Sequence, residues 1–196
     1  MRKSMLVGAV ATVLAAAVVF CVAQDGMEDA GHSTGGMPVF KAGPEQEGLK
    51  RLVGKWTSEM TMPMGPGMPD MKSTGSSEIT MVGEFWAVER ATFNMMDTEM
   101  AGLGIYGYDI VKKAHTSKWV DSYAPYAMDI EGTVDKDGKM VMTGMGPDMA
   151  MNVDNLTEYK MVGTWVDDDT RTMDMFIMMP DGQEMKIWSM TAKRAE

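Results

Sequence analysis

Thioethers are the side chains with the most chemical capacity in this 196-residue sequence, which holds 26 Met against two His and one Cys. Soft sulfur ligands select Cu(I) without needing cysteine, which suits an oxidising compartment. Met60-Thr61-Met62-Pro63-Met64 and Met140-Val141-Met142 set sulfurs at alternate positions, which share one face of a regular strand. Met64-Gly65-Pro66 and Met145-Gly146-Pro147 repeat one loop pattern, so a Cu(I) site would draw on Met64, Met68, Met145 and Met149. A second use of clustered thioethers is adaptable apolar contact with a hydrophobic ligand, a partner or a membrane. The third is packing, since Met exchanges with Leu at small cost. Met60, Met62, Met81, Met128, Met173 and Met175 lie in strand patterns and are expected in the core.

The polar candidates are fewer. Phe85, Ala87, Glu89, Ala91 and Phe93 alternate with Arg90, Thr92 and Asn94, so Glu89 is expected to point inward among apolar neighbours. Buried without a cationic partner, its carboxyl would have a raised pKa. Trp119, Asp121 and Tyr123 share a face, and Ser189 and Thr191 follow Met185 and Ile187. A few polar groups on apolar walls is how small-molecule sites are built. The predicted ligand cavity is therefore Trp56, Met60, Glu89, Trp119, Asp121, Tyr123, Met175 and Ser189. Turnover by inward carboxylates, Glu89 or Asp121, is a third reading that needs a perturbed pKa beside a substrate-sized cavity. No catalytic residue is assigned. His115 follows Lys112-Lys113 and reads as a surface histidine at a strand start, and no spacing around it or Ser117 marks a nucleophile elbow.

Composition removes other classes. The formal charge is −10, from 28 acidic and 18 basic residues, which argues against a nucleic-acid partner. Two His and one Cys are too few for a zinc or iron–sulfur site. Gly102 and Gly104 sit in a strand pattern with no following helix, so they do not form a phosphate loop.

The elements that must position these residues follow an address. Arg2 and Lys3 precede an apolar run from Met5 to Phe20 that ends in Cys21-Val22-Ala23, the pattern of a bacterial signal peptide over 1–23. The run is shorter than the roughly 20 residues of a membrane span. Cleavage after Ala23 predicts an exported, periplasmic or secreted protein, with lipidation at Cys21 as the alternative. Removing Arg2 and Lys3 leaves 16 basic residues against 28 acidic, a charge of −12, and no cysteine for a disulfide. That chain keeps 24 Met beside four Leu (49, 52, 103, 156) and six Ile (79, 105, 110, 130, 177, 187). With a bacterial leader, Asn155-Leu156-Thr157 reads as a chance sequon. Residues 24–43 show neither helical nor strand period and read as a disordered spacer holding His32.

The folded domain is expected over 44–196. Pro44 suits the first position of a short helix through Leu52, and Gly54 ends it. The rest predicts ten strands near 55–62, 73–82, 85–94, 101–109, 115–123, 126–135, 139–144, 156–166, 171–179 and 184–193. Asp135-Lys136-Asp137-Gly138, Asp167-Asp168-Asp169-Thr170 and Pro180-Asp181-Gly182 are hairpin turns. Sequential antiparallel strands with short links leave two edges unless the sheet closes. The fold class is thus all-β, a ten-stranded antiparallel up-and-down barrel.

Gly54-Lys55-Trp56, opening the first strand after a short helix, resembles the lipocalin-like (calycin) barrels, where a Gly-x-Trp closes one end. Gly43-Pro44-Glu45, Leu52-Val53-Gly54-Lys55-Trp56, Met64-Gly65-Pro66-Gly67, Ser73-Thr74-Gly75, Gly107-Tyr108-Asp109, Trp119-Val120-Asp121-Ser122 and Val166-Asp167-Asp168-Asp169-Thr170 follow in order. Together they resemble the bacterial domain-of-unknown-function family fifteen seventy-nine over roughly residues 43 to 194. The resemblance implies a single-domain exported barrel and carries no established activity. Some haem-binding barrels are lipocalin-like, but this sequence lacks a histidine near its last strands.

In an up-and-down barrel the connections after odd strands share one end. Those connections hold Met64, Met68, Met71, Met95, Met96, Met100, Met145, Met149, Met151 and Met179, and the even ones hold no Met. The loop methionines are therefore expected around one mouth, with the helix at the opposite, charged end. The reading from sequence is a non-catalytic barrel that takes a small apolar or amphipathic ligand through that mouth, with no cofactor. Cu(I) binding by Met thioethers is the alternative. Membrane association would come only through Cys21 or the mouth.

Overall fold

The computed structural model describes residues 39–148 and 152–195; the expected leader and most of the spacer, with Met149 and Met151, lie outside the described residues. Helix α1 spans Pro44–Leu49, and a 3₁₀ turn follows over Lys50–Leu52. Pro44 presets the first helical φ. The Gly43 N–H donates to Gln46 Oε1 at 2.9 Å, satisfying a donor the helix leaves free.

Gly54 then turns the chain into the sheet at φ +131, and a Cβ there would lie 2.7 Å from Arg194 Nη1. Only glycine meets both demands. Trp56 is buried, and its indole N–H donates to the Leu52 carbonyl at 2.8 Å. Arg194, on the last strand, stacks its guanidinium 4.4 Å from the Trp56 ring and donates to the Val53 and Arg51 carbonyls. The Gly-x-Trp end is closed by this first-to-last-strand clasp.

Ten strands are present among the described residues: β1 Gly54–Met62, β2 Met71–Val82, β3 Trp86–Met95, β4 Thr98–Asp109, β5 Ala114–Asp121, β6 Met128–Val134, β7 Met140–Asp148, β8 Asn152–Trp165, β9 Thr170–Met178 and β10 Glu184–Arg194. Each pairs antiparallel with its sequence neighbours, and β1 pairs with β10, so the sheet is a closed barrel. Closure leaves no edge to protect. The predicted Asp135 turn forms as read, with Asp135 Oδ1 accepting from the Asp137 and Lys139 N–H groups.

Connection parity follows from this topology, with Met64, Met68, Met96 and Met179 at one end and α1 at the other. The strands run further than their sequence pattern suggested, so Met71, Met95, Met100 and Met145 belong to β2, β3, β4 and β7 rather than to loops. The β3–β4 link is only Met96-Asp97, with φ of 48° and 62°. Two positive-φ residues match the twist of paired strands, and this sequence makes that turn without Asn-Gly. At β7, Pro147 stays in the strand beside a register shift, where a missing N–H is tolerated.

Methionine does fill aliphatic positions. Met128, Met142, Met161 and Met175 are buried with Ile130, Tyr159 and Ile177 on the β6–β9 wall. Leu49, Trp56, Ile79, Ala87 and Ala192 form the core toward the helix end, while Ala91, Phe93 and Met190 form a third cluster. Gly102 makes room for the Trp119 ring, which a Cβ would approach to 2.2 Å.

Candidate functional site

Among the described residues, the lumen contains one buried ionic group. Ala87, Glu89, Ala91 and Phe93 alternate inward from β3, and Glu89 is 6% exposed. Arg171, 8% exposed, points in from β9, and its Nη2 lies 3.6 Å from Glu89 Oε1. β2, β1 and β10 separate these two strands around the ring, so the pair crosses the barrel. Tyr106 on β4 donates its hydroxyl to Glu89 Oε2, in the space that Gly104 leaves: a Cβ there would lie 2.5 Å from the phenol oxygen. The Arg171 guanidinium carbon also lies 5.0 Å from the Trp56 ring. Its Nε is buried and has no hydrogen-bond partner among the described residues.

Burial pushes the Tyr106 phenol well above its ordinary range, the Glu89 charge and hydrogen bond add to this, and the Arg171 charge opposes it. The folded state therefore keeps this proton after the unfolded chain has lost it. Stability is unaffected below the unfolded tyrosine pKa near 10 and falls above it, by about 1.4 kcal/mol per pH unit. Tyr106→Phe should remove one proton's worth of that alkaline slope in urea titrations between pH 9 and 11. An unchanged slope would show that Tyr106 ionises freely in the fold.

A cleft of about 410 Å³ opens beneath α1 at the same end of the barrel. The helix contacts β3 and β4, and the cleft occupies the other side, under β7 to β9. Leu52, Met140, Trp165 and Met173 give it apolar walls, Arg171 and His115 are among its polar groups, and Val134 and Gly138 flank its opening. His115 is half-buried and stands edge-on to Tyr108, with ring centroids 5.1 Å apart. Burial lowers its pKa, partly offset by the charge of Glu45, so the ring is neutral at pH 7. This corrects its reading as a surface residue: it holds an inward position of β5 together with Ser117 and Trp119.

Residues 41–194 match the model of a family described as "Protein of unknown function (DUF1579)". The chain belongs to the DUF1579 family. No curated protein matches the sequence. Among solved structures, the S-type phycobiliprotein lyase of Guillardia theta is similar, with 15% identity and a TM-score of 0.53 over 77% of this chain and 92% of that one. Rv2717c of M. tuberculosis is similar with 10% identity and a TM-score of 0.57, over 80% of this chain and 100% of that one. These likenesses are of fold, a closed calycin-like barrel. The DUF1579 match begins just before α1 and ends at Arg194, so it includes both halves of the clasp over Trp56.

The other sequence-predicted cavity residues of this DUF1579 protein divide. Trp56 and Glu89 stand beside Arg171, behind the cleft wall. Met175 belongs to the β6–β9 core, and Met60 and Trp119 pack against the Ala91, Phe93 and Met190 cluster toward the other end. Asp121 is a structural anchor: Oδ2 accepts from the Trp119 indole at 2.9 Å, and Oδ1 accepts from the Tyr123 and Ala124 N–H groups. Two assignments are corrected. Tyr123 lies beyond the end of β5 and is 66% exposed, because Asp121 turns the chain out of the sheet. Ser189 pairs with Asp174 on the outer face, because a register shift at Lys186/Trp188 reverses the alternation after Met185.

The methionine end also differs from its expected form. Met64, Met68 and Met96 are exposed in loops there, Met179 packs against the core, and Met71, Met95 and Met100 take inward strand positions. Met60, Met95 and Met100 pack with Trp119 over the third cluster. The described cleft opens at the helix end instead. Met145 faces outward from β7, 56% exposed, across the ring from the β1–β2 link that carries Met64 and Met68. The expected Cu(I) set is thus not assembled among the described residues, because alternation turns Met145 away when Gly144 and Gly146 face in. Arg171 and Tyr106 were missed from the sequence. The signal for Arg171 was present in Arg171, Met173, Met175 and Ile177, which repeat the Glu89 pattern of one charge on an apolar face.

Proposed function

We propose that this protein is an exported, non-catalytic barrel that binds a small apolar or amphipathic molecule in the cleft beneath α1. The observation that carries this reading is the cleft itself, about 410 Å³ with apolar walls from Leu52, Met140, Trp165 and Met173 and few polar groups. Such a space suits a compact organic ligand. Glu89 is engaged by Arg171 and Tyr106, which favours binding over turnover by that carboxylate.

Titration with the neutral fluorophore N-phenyl-1-naphthylamine tests the site. Gly163 lines the cleft, and the nearest atom to a Cβ there is the flexible tip of Met140, at 2.8 Å. Gly163→Leu should fill the cleft and weaken fluorophore binding by about tenfold or more, whereas Met64→Ser, Met68→Ser and Met96→Ser should leave it unchanged. The reverse pattern would move the site to the methionine end. Native mass spectrometry of protein from an exporting host would then give the mass of any retained ligand.

A further inference from the structure

Buried arginines normally have their donors satisfied, and the fork of five N–H groups gives them reach to do so. Arg171 departs from this. It lines the cleft, is 8% exposed, and its Nε has no partner among the described residues. Its contact with Glu89, at 3.6 Å, balances its charge but is too long for a hydrogen bond. Glu89 instead accepts the Tyr106 hydroxyl.

The group is therefore balanced in charge and short of an acceptor. A second anion beside Arg171 would leave an uncompensated negative charge next to Glu89 in an apolar site. The other charged groups of the cleft would not offset it: Arg51 is already held by Asp168 at 2.8 Å, Glu45 is itself acidic, Tyr106 has no positive form, and burial disfavours the charged form of His115. A neutral oxygen adds no charge and supplies what Arg171 lacks.

We infer that the cleft selects uncharged apolar molecules bearing one hydrogen-bond-accepting oxygen, a ketone or ester carbonyl, which accepts from the unpartnered face of Arg171. This rests on the cleft being a ligand site and adds the chemical class of the ligand. The apolar remainder would lie along Met140, Trp165 and Met173.

The test displaces N-phenyl-1-naphthylamine with hexanophenone, hexylbenzene and 6-phenylhexanoate, which share a carbon skeleton and differ in the oxygen function. Hexanophenone should displace the fluorophore at about tenfold lower concentration than hexylbenzene, and the carboxylate should do no better than hexylbenzene. The carbonyl stretch of bound hexanophenone should move to lower wavenumber. In the charge-neutral pair Arg171→Met with Glu89→Gln, both the preference and the infrared shift should vanish. Equal displacement by all three, a superior carboxylate, or an unshifted carbonyl stretch would overturn the inference and leave the cleft as a site. No binding of the fluorophore or of any of the three would overturn the ligand-site reading itself. The infrared shift is read on the wild-type protein, so the inference stays falsifiable even where the variant does not fold.

Discussion

Arg171→Met should lower the unfolding free energy by about 3–5 kcal/mol, seen as a reduced urea midpoint at pH 7. The substitution leaves the Glu89 carboxylate in the lumen, with its side chain 7% exposed and no cation opposite it. Its remaining hydrogen bond from Tyr106 cannot replace the lost charge. Without the cation, the buried carboxylate keeps its desolvation cost uncompensated, so the deficit is the cost of an unpaired buried charge. Adding Glu89→Gln should restore most of the loss at pH 7, because a neutral amide can stay buried with Tyr106. A deficit unrelieved by Glu89→Gln would mean that Arg171 acts through its packing on Trp56.

Gly132→Ala should cost about 3 kcal/mol or prevent folding, because its obstacle is backbone. A Cβ at Gly132 would lie 2.0 Å from the Val141 carbonyl oxygen and 2.7 Å from the Met142 Cα on the paired strand. No rotamer relieves that contact, so β6 and β7 must separate where they make four residue pairings, Glu131–Thr143 to Val134–Met140. Gly144 faces the Asp129 carbonyl oxygen at the same 2.0 Å, so the two glycines let one hairpin bend tightly into the ring. Gly163→Ala is the matched comparison, since its Cβ meets a methionine tip at 2.8 Å. Its cost should stay near 1 kcal/mol or less. Equal thermal shifts for Gly132→Ala and Gly163→Ala would show that β6 and β7 yield without loss.

The number and order of the strands were legible before the structure because each half-buried strand repeats every two residues. Ala87, Glu89, Ala91 and Phe93 show that repeat, and the Asp-Lys-Asp-Gly turn ends another strand as read. Gly54-Lys55-Trp56 after a short helix was legible for the same local reason: φ +131 demands glycine, and the indole must bury. Strand ends were less legible. Met96-Asp97 makes a two-residue hairpin without the usual turn residues, so Met95 and Met100, assigned to the connection, lie in strands. Ser189 was misassigned because one bulge inverts every later position on β10.

The all-β class, the ten strands, the parity that gathers loop methionines at one end, and Glu89 as an inward charge all follow from spacing along one chain. What Glu89 meets and where the interior opens follow from the closed barrel alone. Arg171 lies 82 positions along the chain from Glu89. The two come within 3.6 Å because barrel closure sets β3 and β9 across the same lumen. The helix packs mainly against β3 and β4 on one side of its end of the ring, and the cleft follows from that asymmetry rather than from any local motif. Spacing along a strand prescribes which way a side chain points; the circumference and tilt of the closed sheet prescribe what stands opposite it.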